Sequence, residues 1–291
     1  MYKCCKLCNR ACGVDRTAGE RGYCKMSDKM FVSRIGLHMW EEPPISGTRG
    51  SGTVFFSGCS LGCIYCQNRE ISRGECGTEI TAAALAGRLL DLEAQGAHNI
   101  NFVTPTHYAP SVIETVAAAR AAGLTLPIVY NTGTLDTVET VKALSGTVDI
   151  YLPDLKYYKS STAATYSHAP SLPQVARAAI AQMVLSTGAP VLDSSGIMRR
   201  GTIVRILLLP GHLAEAKLNV RYLYDTYGNG IYISLMSQYT PMPDMPPPLD
   251  RRVTASEYRE LCAYAERIGV TNAFVQDAAS ASVAYIPPFD T

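Results

Sequence analysis

Three times between residues 81 and 152 this chain repeats one unit: an amphipathic helix, a glycine and an almost wholly apolar strand. No other feature restricts the fold as much. The first helix is read from Thr81, carries Leu85, Leu89 and Leu92 on one face and stops at Gly96, ahead of the strand NINFV at 99–103. The second opens on Ser111 with Glu114 three residues on, stops at Gly123 and leads into LPIVY at 126–130. The third is capped by Asp136 with Glu139 three residues on, stops at Gly146 and gives VDIYL at 148–152. Side-chain acceptors before each helix satisfy its first amides, and a glycine past each end tolerates the left-handed backbone on which the chain turns. Strands apolar on both faces must be covered on both, the condition of parallel strands between crossover helices. GTVFF at 52–56, TIVRILLL at 202–209 and IYISLM at 231–236 read as further strands, six in all. The expectation is an α/β fold built as a partial or full (β/α) barrel, with a doubly wound open sheet as the alternative that periodicity does not separate from it. At 291 residues the chain is long enough for a barrel, which typically takes ~250.

The flanks differ in character. Residues 1–49 lack helix or strand periodicity and read as a small cysteine-rich metal-binding module that runs into the linker EEPPISGTRGSG, leaving 50–291 for the barrel. Between 240 and 250, TPMPDMPPPLD reads as an extended loop, and a last helix follows, capped by Thr254 with Glu257 and stopped by Gly269. With 26 basic against 25 acidic residues, the charge recruits neither nucleic acid nor an anionic membrane surface. The start MYKCCKLCNR is not a signal sequence. Nor does any run reach the ~18 apolar residues of a membrane span, so the expected location is cytoplasmic.

Ten cysteines in a chain this long, five of them in the first 24 residues, argue for ligation in a reducing compartment rather than for a disulfide framework. Cys59, Cys63 and Cys66 form CxxxCxxC on the loop after the first strand, at the end of the sheet where α/β folds assemble their sites. Thiolates suit iron-sulfur clusters, and three of them leave one iron of a [4Fe-4S] cluster with an open position. The plainer alternative is a structural zinc loop with Cys76 or His107 as fourth ligand. Cys5, Cys8, Cys12 and Cys24 have the spacing CxxCxxxCx11C, with Cys4 as a spare neighbour. Four thiolates fit zinc or a second iron-sulfur cluster, and so short a module has little hydrophobic core of its own to fold on. Cys262 lies beside the stripe Tyr258, Leu261, Ala265 and Ile268 and reads as core.

CxxxCxxC with the aromatic Tyr65 before its last cysteine resembles the signature of the radical S-adenosylmethionine enzymes. GTVFFSGCSLGCIYCQN, NINFVTPTHY, PIVYNTGT, VDIYLPDLKYY, IVRILLLPG and ISLMSQYTP follow in the order seen in the branch related to pyruvate formate-lyase activating enzyme. The resemblance spans nearly the whole chain and implies an incomplete (β/α)6 barrel. It implies that the open iron of the cluster binds the amino and carboxylate groups of S-adenosylmethionine, and that reduction releases methionine and a 5′-deoxyadenosyl radical. By the same resemblance Tyr65 meets the adenine, while Thr104, Thr106 and His107 stand where related enzymes place a glycine-rich GGE segment. Asn131 faces the cofactor, Asp154 and Lys156 of the DLK match the motif that contacts S-adenosylmethionine, Arg205 matches a fifth-strand arginine, and Gln238 lies near the ribose or substrate. The bland alternatives are a local Asp154–Lys156 salt bridge, a buried ion pair for Arg205 and a helix-capping role for His107. The chain departs from the branch at Ile206, where a histidine often stands, at NTGTLD, and at the spacer Ser60-Leu61-Gly62, which lacks a common arginine.

The implied activity is abstraction of hydrogen from a glycine of a partner glycyl radical enzyme, fed by a flavodoxin- or ferredoxin-type electron donor. The rivals are the same radical chemistry on a small metabolite or a peptide side chain, and a non-catalytic electron-transfer protein. The second metal, zinc or iron-sulfur, would be structural or would relay electrons.

Overall fold

A computed structural model of the chain describes residues 1–74 and 76–276. Its strands are β1 Met30–His38, β2 Ser51–Phe56, β3 Thr78–Ile80, β4 Ile100–Val103, β5 Ile128–Thr132, β6 Ile150–Pro153, β7 Val191–Leu192, β8 Met198–Leu207, β9 Tyr232–Met236 and β10 Ala273–Val275. The helices are α1 Pro43–Ser46, α2 Arg69–Ser72, α3 Ala82–Ala94, α4 Ala109–Ala121, α5 Val138–Ala143, α6 Ser160–Ser167, α7 Leu172–Thr187, α8 Leu213–Tyr227 and α9 Ala255–Arg267. The sheet runs β10-β9-β8-β6-β5-β4-β2-β1-β3, with β7 antiparallel on β8. From β2 to β10 the path is parallel and its order never reverses. That excludes the doubly wound alternative, whose order reverses at a switch point.

The full barrel is ruled out and the strand count needs extending. Among the described residues the sheet is open, with β3 and β10 at its edges, and β10 adds a seventh parallel strand to the six read from sequence. Residues 30–38, read as part of the N-terminal module, form β1 and pair antiparallel with β2 and β3. The end of the 50–291 unit, residues 277–291, lies outside the described residues.

Alternation along each strand sorts the side chains. Val54, Phe56, Phe102, Tyr130 and Tyr151 pack with α3 and α4, while Val204, Ile206, Ile233 and Leu235 pack with α8 and α9. On the opposite face Val129, Ile150, Leu152 and Ile203 enclose Ile45 of α1, which is completely buried. Burying an isoleucine stabilises by roughly 1.5–3 kcal/mol, so α1 is a plug for the inner face of the sheet. The segment before it is thereby pinned across that face.

Two of the four helix starts read from sequence hold and two shift. Thr81 caps α3, and Thr254 and Glu257 form a capping box on α9. In α4 the helix starts earlier than expected, at Ala109 with Pro110 in its first turn, so Ser111 and Glu114 are inside it. The cap of α5 is Thr137, because the Asp136 carboxylate is buried and accepts from the Tyr130 and Thr132 hydroxyls. Among the described residues no helix is long and apolar enough to cross a membrane.

Candidate cluster and cofactor site

The loop after β2 turns on Gly58 and Gly62, both in the left-handed region (φ +83° and +68°) where a side chain is strained. Between and after them, half-buried Cys59, Cys63 and Cys66 all line one cavity of about 250 Å³. The turn is held by Cys66 N–H donating to the Cys63 carbonyl (3.2 Å) and by Ile64 N–H donating to the Tyr166 carbonyl (2.9 Å). Behind Cys63 runs a chain of hydroxyls: Ser167 Oγ is 2.9 Å from its sulfur, Tyr157 Oη 2.6 Å from Ser167 Oγ, and Tyr65 Oη 2.8 Å from Tyr157 Oη.

Burial, reinforced by the neighbouring cysteines, pushes the Cys59 thiol up to about 12 and raises that of Cys66. Two such thiols stay ionised side by side only if positive charge is brought to them, as iron does on ligation. No three Cys, His, Asp or Glu side chains among the described residues converge on one point as a single-ion site would. A [4Fe-4S] cluster instead presents a separate iron to each thiolate, and these three thiols suit it.

Opposite the cysteines the strand ends contribute charge. Asp154, just past β6, accepts from Arg205 Nε of β8 at 2.8 Å and from Lys156 Nζ at 2.7 Å. Arg205 also donates to Asn131 Oδ1 at the end of β5 (2.6 Å) and lies 3.4 Å from Glu41 Oε2. Asn131 Nδ2 in turn donates to Glu41 Oε1 at 3.3 Å. Burial alone would raise the Asp154 carboxyl, but Arg205 and Lys156 bring it below its ordinary value; for Arg205 and Lys156 burial is likewise outweighed by the facing carboxylates, and both are raised. Burial raises Glu41 and lifts Glu42 to about 7 despite Arg205 nearby. Gly133 completes the wall; a Cβ there would come within 2.6 Å of Leu61 in the cysteine loop.

Of the residues expected from sequence, Asn131, Asp154, Lys156, Arg205, Gln238 and Thr104 line the cavity together with the three cysteines. The salt bridge offered as the bland reading of Asp154 and Lys156 is present, and it forms part of the cavity wall. Tyr65, Thr106 and His107 do not line it. Tyr65 is buried against Tyr157, and Thr106 bonds Thr132 Oγ1 at 3.1 Å. His107 Nε2 is 2.7 Å from the Ser57 carbonyl, and burial lowers the ring to about 3, so it is neutral. It supports the loop from behind and caps no helix. Cys76 packs on Phe55, Ile71 and Val103 outside the cavity. In the N-terminal module Cys5 and Cys24 are buried, Cys8 is half-buried and Cys4 and Cys12 are exposed. Burial, with Cys24 and Cys12 adding, pushes Cys8 up to about 12, and burial, with Cys5 and Cys12 adding, raises Cys24, so these four thiols share one neighbourhood.

Sequence reasoning missed His38 at the end of β1, and Trp40 and Glu41, which reach the cavity from the segment between β1 and α1. That segment reads as a proline-rich linker. Its one signal is a pair of acidic residues ahead of a lone isoleucine.

Comparison with known proteins adds three findings. Residues 46–177 match the family model of the 4Fe-4S single cluster domain. Over 277 residues the chain is 24% identical to an uncharacterized protein of Methanocaldococcus jannaschii, covering 92% of this chain and 75% of that one. The fold is similar to that in the crystal structure of Streptococcus suis SuiB bound to precursor peptide SuiA, with a TM-score of 0.52 and 13% identity over 75% of this chain. The match covers 46% of SuiB, so this chain spans about half of its length. What the chain shares with known proteins is thus a 4Fe-4S single-cluster stretch, bearing all three loop cysteines, within a parallel-sheet α/β fold.

Proposed function

We propose that this chain is a radical S-adenosylmethionine enzyme of the activating-enzyme type. The observation that carries the reading is that three thiols suited to a [4Fe-4S] cluster and a balanced set of side-chain charges share one cavity. When bound, the cluster and S-adenosylmethionine supply reductive cleavage of the sulfonium and hydrogen abstraction from a substrate. The chain's own residues bind and orient. Cys59, Cys63 and Cys66 would hold the cluster. Lys156 and Arg205 face carboxylate, while Asp154 and Glu41 face cationic groups. Asn131, tied to both Arg205 and Glu41, keeps these side chains in fixed rotamers before any ligand arrives.

The hydrogen donor in this reading is a glycine of a partner glycyl radical enzyme, and a flavodoxin- or ferredoxin-type protein delivers the electron. A peptide side chain is the second reading, favoured by the likeness to a structure that carries a bound peptide. Cys5, Cys8, Cys12 and Cys24, which like the loop cysteines do not converge on one point, would hold a second iron-sulfur cluster in the N-terminal module. The test is anaerobic iron-sulfur reconstitution, reduction with S-adenosylmethionine present, and measurement of 5′-deoxyadenosine. Product is expected from the wild type and none from Cys63→Ala. A fully loaded wild type that makes no deoxyadenosine would sink the proposal. A glycyl radical signal in a co-purified partner separates the two substrate readings.

A further inference from the structure

One guanidinium joins the N-terminal cysteine module to the cysteine loop of the cavity. Arg10 stands between Cys8 and Cys12, in a turn closed by Ala11 N–H donating to the Cys8 carbonyl at 3.0 Å. The turn is fixed on the β5–α5 connection: Asn9 N–H donates to the Leu135 carbonyl at 2.8 Å and Asn9 Nδ2 to the Asp136 carbonyl at 2.9 Å. From there Arg10 Nε donates to the Ser60 carbonyl (2.9 Å) and Nη2 to the carbonyls of Leu61 (3.1 Å) and Ser167 (3.0 Å), while Nη1 donates to that of His168. The ring of Tyr23 stacks 3.7 Å from the guanidinium, and Tyr23 Oη donates to the Leu61 carbonyl at 3.2 Å.

Among the described residues no carboxylate pairs with Arg10, so its charge is spent on backbone carbonyls. Two of these, Ser60 and Leu61, lie between the first two loop cysteines. The spacer that lacks an arginine of its own receives one from the module. Both halves of the clamp are sequence neighbours of the module's thiols, and Tyr23 N–H donates to Cys12 Sγ at 3.3 Å.

We propose that Arg10 is a positioning residue through which the N-terminal module sets the shape of the cluster loop, so that an iron-sulfur cluster at Cys5, Cys8, Cys12 and Cys24 and the cluster at Cys59, Cys63 and Cys66 bind with positive coupling. The proposal rests on the reading of both cysteine sets as ligands. Cys8 and Cys12 flank Arg10 and Cys24 follows Tyr23, so ligation at these thiols would fix the backbone on both sides of the clamp and with it the placement of Arg10 and Tyr23 on the loop. Linkage makes the effect reciprocal.

The test uses the full chain, reconstituted anaerobically. Readouts are iron per chain, the rate at which a ferrous chelator strips the cluster, and the electron paramagnetic resonance line shape after reduction. Arg10→Ala is expected to lose the loop cluster at least fivefold faster with an altered line shape, while its module metal, measured in a Cys63→Ser background, stays bound. Millimolar ethylguanidinium should restore slow loss. Cys12→Ser should reproduce the fast loss, and the double variant should be no faster than Arg10→Ala alone. Tyr23→Phe, which removes only the Leu61 hydrogen bond, should fall between wild type and Arg10→Ala, and it keeps the test open if Arg10→Ala does not fold. Wild-type rates and line shape in both Arg10→Ala and Tyr23→Phe would overturn the coupling, as would additive rates in the double variant. Equal iron in wild type and Cys63→Ser would instead overturn the cluster reading itself, and the proposal with it.

Discussion

Replacing Asp154 with asparagine tests whether the cavity is an electrostatic unit. The carboxylate is the common partner of Arg205 and Lys156, at 2.8 and 2.7 Å, and the three side chains are only 19%, 12% and 16% exposed. Removing one partner of a buried ion pair costs about 3–5 kcal/mol, because the charge left behind is neither solvated nor paired. Glu41 remains 3.4 Å from Arg205, which puts the expected cost at the lower end, about 3 kcal/mol. For domains of 150–250 residues each kcal/mol moves the melting temperature by ~2–4 °C, so a fall of roughly 6–12 °C is expected in anaerobic melts of the metal-free protein. Adding Lys156→Met should recover part of the loss, since it removes one orphaned cation and the two sites are in contact. The pH dependence has a definite sign. The folded carboxyl lies below its ordinary value, so its contribution is complete above about pH 4 and is lost as pH falls through the lowered value. Wild type and Asp154→Asn should therefore converge in stability at strongly acid pH. A melt within about 2 °C of wild type at neutral pH, or no coupling in the double variant, would refute the reasoning.

Other perturbations address separate parts of the site. Cys63→Ser should bind less iron and sulfide after reconstitution while its apoprotein melts as wild type, because the side chain is half-buried and of similar size; unchanged iron content would overturn the cluster reading. His107 is held neutral, with a folded value of about 3, so stability should fall by roughly 1.4 kcal/mol per pH unit below about pH 6, where the unfolded ring takes up a proton. Urea midpoints of His107→Gln should lack that slope, and parallel profiles would refute a neutral buried ring. Ile45→Ala should cost about 2–5 kcal/mol by unplugging the inner face, read from denaturant midpoints; a loss below 1 kcal/mol would mean that α1 is not anchored there. Gly133→Ala must displace Leu61, whose Cδ1 would be 2.6 Å from the new Cβ. It should cost about 1–3 kcal/mol by overpacking and alter the line shape of the reduced cluster, and a wild-type spectrum would argue against contact between the two loops.

Local rules made the repeated helix–glycine–strand units legible. The glycines at 96, 123 and 146 do adopt positive φ, and the strands that follow are completely buried. The same rules misplace caps where a tertiary partner competes: Asp136 looks like an N-cap in sequence, yet two buried hydroxyls claim its carboxylate. β1 was missed because its burial does not alternate: three of its first four residues are buried and the remainder are intermediate. Arg205 was legible as a charge among the core residues of an apolar strand, whereas Asn131, Asp154, Lys156 and Gln238 were reached through the resemblance of their motifs. Glu41 and Arg10 were reached by neither. Both arrive from segments without periodicity, and only the folded chain reveals that one enters the cavity and the other grips the loop. His107 shows the converse, a polar residue in a suggestive stretch that the fold turns to the back of that loop.

The strap from Met39 to Gly47 also bears on how separable the iron-sulfur stretch is. Residues 46–177 contain every loop cysteine but exclude Glu41, Ile45, Arg205 and Gln238. A cassette cut at those boundaries would carry the ligands into a new host without the plug beneath them or half of the opposing wall. Transplanting this chemistry would require the flanks on both sides, and a shuffled gene that kept only the cysteine segment would inherit a nest of thiols facing an unfinished room.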